Sequence, residues 1–281
     1  MSKSDWRRLC AYGFVRSRLV LTFFTGQGNH VFLGPKSSSS FKDSGKPFNV
    51  TYGQGSVAGN IIADNVNLAG LVLDQHVFGV ALVESDDFTN GTLADGLMGL
   101  AQSPLSSQGV LTPVESLAKQ GSISEAITSY KLSRFTDGLN DGEITFGGLD
   151  ESKFDSKSLV TVDNINQLGF WEAPLTVSVD GQDLGLNGRT AILDTGTTLL
   201  IIPTADAEAI HAMIPGAKTD NQGDFIIPCT NKAVVSLTFG GQAFDINPVD
   251  ILFLPVDPND LQGDCVSGIA AGQIGGPTQW L

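Results

Sequence analysis

The sequence is poor in charged residues and histidine, and it lacks long apolar runs. Asp, Glu, Lys and Arg together make up 16% of its 281 residues, which argues against long solvated helices and coiled coils. No apolar stretch approaches the roughly 18 residues of a membrane-spanning helix, so we expect no membrane association. Its 16 basic residues are outnumbered by 30 acidic ones, which argues against a nucleic-acid partner because phosphate binding needs excess Lys and Arg. His30, His76 and His211 show no metal-ligand spacing, and we expect neither a metal nor another cofactor.

The residues that are abundant predict an all-β chain. There are 33 glycines, and several strand patterns end at glycine-containing turns. Phe48, Val50 and Tyr52 alternate with polar residues, and Gly53-Gln54-Gly55 follows them, which predicts a β-hairpin. Asp180-Gly181 and Gly240-Gly241 predict two further tight turns between strands. Helical signals are confined to two short segments, which begin at Thr112 and Thr204.

Charge is unevenly distributed along the chain. Residues 1–30 carry a net charge of +4 and residues 31–281 a net charge of −18, which together give the chain its net charge of −14. Within this basic N-terminal segment, the apolar stretch from Leu19 to Phe24 is short for the core of a signal peptide, which spans about 7–15 residues. We therefore interpret residues 1–30 as atypical for the rest of the chain.

One segment, Ala191–Leu200, places a single carboxylate in a tight turn between two apolar runs. Asp194 is followed by Thr195-Gly196-Thr197-Thr198. The hydroxyl groups of Thr195 and Thr197 can donate hydrogen bonds to the carboxylate or to the backbone, and would hold the carboxylate rigid and ionised. A loop without function would not place an acid between two such runs.

Three interpretations of Asp194 are open on this segment alone. It can be half of a pair of catalytic aspartates, part of a phosphate loop such as those of actin-like ATPases, or an acid that caps a turn. The ATPase interpretation requires alternating strands and helices. Since the residues around Asp194 predict hairpins instead, the sequence favours the catalytic pair.

Further motifs along the chain occur in the same order as in a known protein family. They are Val50–Ser56, Asp95–Leu100, Gly147–Asp150, Gly169–Trp171, the Asp194 turn, and the cysteines Cys229 and Cys265. Together they resemble the pepsin-like aspartic endopeptidases (peptidase family A1), most closely the secreted or vacuolar fungal members. The resemblance covers roughly residues 32–281.

The resemblance implies an all-β fold of two pseudo-symmetric lobes with a cleft between them. The N-terminal lobe would span residues 31–163 and include the flap hairpin, and the C-terminal lobe would span residues 164–281 and include Asp194. In the family, further strands follow the segment that matches Trp280-Leu281. We therefore expect the fold to be incomplete at both the N- and C-termini, with the final strands missing.

The same resemblance assigns roles to individual residues. Asp194 would be catalytic, and the substrate would be bound by Tyr52, Gly53, Gln54, Gly196, Thr197 and Thr198. Cys229 and Cys265 would form the disulfide of the C-terminal lobe; without the resemblance, two buried free thiols are the alternative. Such a bridge would stabilise the fold by roughly 3–4 kcal/mol in the chain-entropy model.

The second catalytic aspartate that this chemistry requires is absent from the sequence. The first lobe should supply it upstream of Tyr52, where an apolar run leads into Phe24-Thr25-Gly26. Phe24 stands where the aspartate belongs, and no other aspartate occurs between Asp5 and Asp43. Either residues 1–30 do not belong to the chain, as a gene-model error would produce, or the protein is a non-catalytic member of the family.

We therefore predict that the chain descends from aspartic-type endopeptidases. We expect it to be inactive with this sequence, because Phe24 stands in place of the first catalytic aspartate. The alternative is a non-catalytic peptide- or protein-binding member of the same fold. The partners would be polypeptide substrates, the protein would be a monomer, and its destination would be the extracellular space or the vacuole.

Overall fold

The computed structural model describes residues 21–23, 25, 30–52, 55–89, 95–220 and 223–281. The chain divides into two compact units. The first holds the described residues up to Asp150 together with Gln167–Phe170, and the second holds Glu151–Asn166 and Trp171–Leu281. Strands dominate the regular structure of both units, so the all-β prediction is confirmed. The lobe ranges 31–163 and 164–281 stay predictions.

The first unit is built on a mixed five-stranded sheet. Its strands are β1 (Leu21–Phe23), β2 (Lys42–Thr51), β3 (Ser56–Leu68), β4 (Leu71–Glu84) and β5 (Gly96–Met98), in the spatial order β2-β3-β4-β1-β5. β1 runs parallel to β4 and antiparallel to β5. A separate hairpin is formed by β6 (Thr128–Lys131) and β7 (Glu143–Phe146). The helices are α1 (Asp86–Thr89) and α2 (Pro113–Gln120), with single 3₁₀ turns at Ser103–Leu105 and Phe135–Asp137.

The predicted hairpin of β2 and β3 is confirmed. Phe48, Val50 and Tyr52 are all buried, at 7%, 5% and 5% exposure, because alternate residues of a strand face the same side. β2 pairs with β3 as far as Thr51 and Ser56. The Tyr52 N–H donates to the Gly55 carbonyl (3.0 Å); Gly53 and Gln54 between them lie outside the described residues.

Local capping chemistry explains why α2 begins and ends where it does. The Thr112 hydroxyl accepts from the Glu115 N–H (3.1 Å), and the Glu115 carboxylate accepts from the Thr112 N–H (2.8 Å). These reciprocal bonds form a capping box, which satisfies donors that the first helical turn leaves unpaired. Gly121 ends the helix with φ +81°, a conformation that glycine adopts without steric cost.

The second unit contains the remaining strands and one helix. They are β8 (Glu172–Val179), β9 (Gln182–Asp183), β10 (Arg189–Ile192), β11 (Leu200–Ile202), α3 (Thr204–Ala212), β12 (Lys218–Thr219), β13 (Phe225–Pro228), β14 (Val235–Phe239), β15 (Gln242–Asp245), β16 (Leu252–Pro255), β17 (Asp264–Ser267), β18 (Ile269–Ala271) and β19 (Gln279–Trp280). Single 3₁₀ turns lie at Glu151–Lys153 and Ser156–Ser158.

The strands of this unit form three sheets. The largest has the order β15-β14-β8-β10-β19, with β9 paired to β8. A second has the order β12-β13-β17-β16, and β11 pairs in parallel with β18. The two predicted tight turns are confirmed: Asp180-Gly181 has φ values of +49° and +79°, and Gly240-Gly241 has +56° and +84°. Positive φ at both central residues is the type I′ signature.

One hydrophobic core holds the second unit together. Side chains from the largest sheet, from β11, β13 and β18 and from α3 meet in it. The fully buried members are Val179, Ile202, Ala207, Ile210, Ile227 and Trp280. In the part of the chain that the structure describes, no helix has both the length and the apolar character needed to cross a bilayer.

A disulfide joins Cys229 and Cys265 across the β13–β17 pair. The Cys229 N–H also donates to the Gly263 carbonyl (2.8 Å). The bridge inferred from the family resemblance is therefore present, and it links residues that are 36 positions apart in the chain.

Candidate active site

Asp194 lies in the turn that joins β10 to β11. Ala191 and Ile192 are buried at the end of β10, and Asp194 itself is 6% exposed. Because Asp194 lies two residues after the end of β10, the sheet constrains the backbone that leads to it. The Leu193 N–H donates to the Trp171 carbonyl (2.8 Å), which extends the strand pairing to the edge of the turn.

Both carboxylate oxygens of Asp194 accept hydrogen bonds from the same turn. The Gly196 N–H donates to Oδ1 (2.8 Å), and the Thr197 hydroxyl donates to Oδ2 (2.5 Å). One donor on each oxygen fixes the plane of the carboxylate. Such donors are strongest when the acceptor is ionised, so the turn is built to hold an oriented acid.

The segment that follows the turn is anchored as firmly as the one that precedes it. β11 pairs in parallel with β18, and the Leu200 N–H donates to the Gly268 carbonyl (2.9 Å). Ile201 and Leu281 exchange backbone hydrogen bonds of 2.9 and 3.0 Å. The Asp194 turn is thus held on both sides by backbone pairing within one unit.

A buried ion pair ties β10 to α3. Arg189 Nε donates to Asp206 Oδ2 (2.7 Å) and Arg189 Nη2 to Asp206 Oδ1 (2.6 Å). The Trp280 indole N–H adds a third bond to Oδ2 (2.9 Å). Asp206 and Trp280 are both 0% exposed, so β10, α3 and β19 meet at one fully satisfied carboxylate.

The charge state of Asp206 follows from these contacts. Burial raises the pKa of its carboxyl group, but the hydrogen bonds from Arg189 and Trp280 and the charge of Arg189 outweigh burial and hold the pKa below its usual range. A lowered pKa of this carboxyl group stabilises the fold at pH values above the ordinary pKa of aspartate. The stabilisation is lost as the pH falls towards the lowered pKa.

Glu172 on β8 forms a second polar cluster beside β10. Its Oε1 accepts from the Thr190 hydroxyl (2.6 Å) and from Gln279 Nε2 (2.9 Å), and its Oε2 accepts from Asn166 Nδ2 (2.6 Å). Burial raises the pKa of Glu172, but these three hydrogen bonds bring it below its usual range. β8, β10 and β19 are therefore crosslinked by side chains as well as by backbone.

Tyr52 lies on the β2–β3 hairpin of the first unit, where it is buried. Its ring packs edge-on against Phe88, with the centroids 5.0 Å apart. Phe48, Val50, Val57 and Ala81 complete the buried part of this apolar cluster. Burial raises the pKa of the Tyr52 hydroxyl. The adjacent Gly53 and Gln54 lie outside the described residues.

The first unit has its own short strand that leads into an Xaa-Thr-Gly sequence. β1 lies between β4 and β5 in its sheet and directly precedes Phe24-Thr25-Gly26. Thr22 and Thr25 are buried, and the Thr25 N–H donates to Glu84 Oε2 (3.0 Å). Phe24 itself lies outside the described residues. The order of strand and Thr-Gly thus parallels β10 and Thr195-Gly196, with phenylalanine where the second unit has aspartate.

The other predicted site residues are distributed around the Asp194 turn. Gly196 and Thr197 contact the carboxylate, whereas Thr198 is exposed and lies one residue further on. Their roles towards a substrate stay predictions. Among the described residues, His, Cys, Asp and Glu side chains form no group of three or more that could hold a metal ion.

Sequence reasoning missed the side chains that position the turn. Arg189 and Asp206 are 17 residues apart in the chain, and Asp206 and Trp280 are 74 residues apart. An acid near the start of α3 suggests only a favourable interaction with the helix dipole. A signal was present in Arg189, a basic residue directly before an apolar strand segment, because a charge that becomes partly buried needs a partner.

Comparison with known proteins identifies the family. The family model described as eukaryotic aspartyl protease matches residues 15–279, so the chain belongs to the eukaryotic aspartyl protease family. The match begins inside the basic segment 1–30 and therefore extends further than the motifs indicated. It includes β1 and the Phe24-Thr25-Gly26 sequence.

Three fungal proteins show the extent of the similarity. The chain is 37% identical over 256 residues to "Probable aspartic-type endopeptidase CTSD" of Arthroderma benhamiae. The matched region covers 90% of this chain and 48% of that protein. It is 38% identical over 248 residues to "Rhizopuspepsin-1" of Rhizopus niveus, covering 87% and 61%. It is 34% identical over 254 residues to "Aspartic-type endopeptidase ctsD" of Aspergillus fumigatus, covering 90% and 52%. The matched region thus spans 48–61% of the length of these relatives.

Proposed function

We propose that this chain derives from an aspartic-type endopeptidase and that Asp194 is one of its two catalytic carboxylates. The observation that carries the proposal is the Asp194 turn: a buried carboxylate with one donor on each oxygen, 2.8 Å and 2.5 Å away. Membership of the eukaryotic aspartyl protease family, matched over residues 15–279, supports the same role.

The reaction needs a second carboxylate close to the first. Two such groups cannot both ionise at short range, so they share one proton and titrate as a pair. The ionised member accepts a proton from a bound water, whose oxygen attacks the carbonyl carbon of the peptide bond. The protonated member donates its proton to the carbonyl oxygen. The tetrahedral intermediate then collapses as the C–N bond breaks and the amine takes up a proton.

Substrate contacts are proposed for two sets of residues. Tyr52, Gly53 and Gln54 would contact the backbone of an extended polypeptide. Gly196 would offer its main chain to the substrate, with Thr197 and Thr198 alongside it. Thr197 has a second role in this proposal, because its hydroxyl also orients the Asp194 carboxylate.

Phe24 makes the chain, as it stands, an incomplete catalyst. A phenylalanine ring can neither share a proton with Asp194 nor donate one to a carbonyl oxygen. We therefore propose that this chain does not hydrolyse peptides. Its second candidate function is peptide binding without cleavage, which the Phe24-Thr25-Gly26 sequence after β1 favours.

A secretory destination, polypeptide partners and a monomeric state complete the proposal. The Cys229–Cys265 disulfide supports an oxidising compartment, since disulfides persist mainly outside the cytosol. The printed names of the relatives, which describe endopeptidases, support polypeptide substrates.

Incubation with acid-denatured globin at low pH tests the proposal. We expect no pepstatin-sensitive fragments from the chain as it stands, together with binding of globin peptides to the folded protein. Pepstatin-sensitive cleavage would show that Phe24 does not prevent catalysis. Absence of both cleavage and peptide binding by a folded preparation would contradict the binding alternative.

A further inference from the structure

Asn49 lies on an exposed edge of the first unit. It belongs to β2, which is the outermost strand of the five-stranded sheet. Its neighbours Phe48 and Val50 are buried at 7% and 5% exposure, whereas Asn49 itself is exposed. The strand therefore fixes the backbone at this position and turns the Asn49 amide towards solvent.

Thr51 shares the exposed face of β2 with Asn49. Both residues are exposed, and residues two apart in a strand face the same side. Asn49-Val50-Thr51 has the Asn-Xaa-Ser/Thr spacing of an N-glycosylation acceptor, with valine in the middle position. We propose that Asn49 is an N-glycosylation site, so that the hairpin that carries Tyr52 also carries an oligosaccharide on its outer face.

The folded surface around Asn49 has room for a glycan. Asn49 pairs with Ala58 of β3, and Ala58 pairs with Val83 of β4. These three residues form one row across the sheet, and the small Ala58 side chain leaves space beside the Asn49 amide. Val83 is 63% exposed. The first sugars would therefore lie over an exposed apolar side chain and meet no bulky residue in that row.

A glycan at Asn49 would also cover a strand at the edge of its sheet. Within the described residues, β2 pairs with β3 only. Such edges template pairing with other chains, and proteins commonly shield them. The proposed modification gives this edge a bulky, soluble cover.

The transfer chemistry is that of the secretory pathway. The anomeric C1–O bond of a lipid pyrophosphate-linked oligosaccharide breaks, a bond forms between C1 and Asn49 Nδ2, and the lipid pyrophosphate leaves. The amide nitrogen gives up one proton to a base of the transferase. The proposal rests on entry into that pathway and not on peptidase activity, so Phe24 has no bearing on it.

The experiment directs the full chain into the secretory pathway of a eukaryotic cell with a cleavable signal peptide. Protein is recovered from medium and cells together, and tryptic peptides are mapped by mass spectrometry. We expect an N-acetylhexosamine-containing glycan on Asn49, sensitive to an amidase that releases N-glycans. Recovery of Asn49 wholly unmodified from both fractions would overturn the proposal.

Matched variants identify the acceptor without depending on folding. Asn49→Gln and Thr51→Ala should each abolish the glycopeptide, whereas Thr51→Ser keeps the acceptor pattern and should keep the glycan. The second acceptor sequence, Asn90-Gly91-Thr92, serves as an internal reference because Asn90→Gln should leave the Asn49 glycopeptide unchanged. A glycan that survives Asn49→Gln and disappears in Asn90→Gln would contradict the assignment.

Discussion

Arg189 and Asp206 are joined by two hydrogen bonds, from Nε to Oδ2 at 2.7 Å and from Nη2 to Oδ1 at 2.6 Å. Arg189 lies on the strand that leads to Asp194, and Asp206 lies on the helix that follows β11. The pair therefore links the two segments that flank the Asp194 turn. Because Asp206 is 0% exposed, its charge is stabilised by Arg189 together with the Trp280 indole N–H, which donates to Oδ2 at 2.9 Å.

We predict that Arg189→Met destabilises the protein by about 3–5 kcal/mol, the usual cost when a buried charge loses its partner. Lys218→Met is the matched control, since it breaks the solvent-exposed Lys218–Asp264 pair (2.6 Å). Such pairs contribute up to about 1 kcal/mol. Urea unfolding measures both variants. Equal losses would contradict the importance assigned to the Arg189–Asp206 pair.

Local chemistry made much of the fold predictable. Asp180-Gly181 and Gly240-Gly241 adopt positive φ as expected, and the Thr112–Glu115 capping box lies where the helical signal began. Each of these signals spans at most four residues. The physical cause sits in the residues themselves, so no long-range contact is needed to read it.

Tertiary contacts could not be predicted in the same way. Trp280 and Asp206 meet across 74 residues, and β1 lies between β4 and β5 although those strands are distant from it in sequence. Gln75 adopts φ +50° beside an irregularity in the β3–β4 register between Asp64 and Val66. The sequence around Gln75 carries no glycine to announce this conformation.

We predict that His76 makes the stability of the fold depend on pH. It is 7% exposed, and burial lowers its pKa to about 4. Between this value and the ordinary histidine pKa near 6.5, the unfolded chain binds more protons than the folded one, so stability falls as pH drops through that window. The loss should reach about 3 kcal/mol below pH 4.

His76→Gln tests this prediction by removing the titrating group. The free energy of unfolding is measured at pH 7, 5.5 and 4 for both proteins. Its decrease from pH 7 to pH 4 should be about 3 kcal/mol smaller for the variant than for the unchanged protein. Parallel pH profiles for the two proteins would rule out His76 as the cause.

Thr197 should matter through its hydroxyl group. In a chain that carries Phe24→Asp, Thr197→Val removes the donor to Asp194 Oδ2 (2.5 Å). A hydrogen bond to a charged group contributes about 1.5–3 kcal/mol, so we expect kcat/KM to fall about tenfold to a hundredfold. Thr197→Ser keeps the hydroxyl and should retain most activity. Equal losses in both variants would indicate a steric effect of the substitution.

The Cys229–Cys265 bridge should stabilise the second unit. Replacing both cysteines by serine should lower the free energy of unfolding by roughly 3–4 kcal/mol, as expected for a loop of 36 residues in the chain-entropy model. Denaturation with and without reductant is the measurement. Reductant should destabilise only the unchanged protein, and an equal response of the double variant would argue against the bridge as the source.

The most direct test of the proposed role of Asp194 is whether the substitution Phe24→Asp gives the chain peptidase activity. Asp194 is already oriented by Gly196 and Thr197, so a second carboxylate after β1 should complete the proton-sharing pair. The variant should cleave acid-denatured globin at low pH in a pepstatin-sensitive reaction, and Phe24→Asp combined with Asp194→Asn should not. A folded Phe24→Asp variant without activity, or activity that survives loss of the Asp194 carboxylate, would contradict the account.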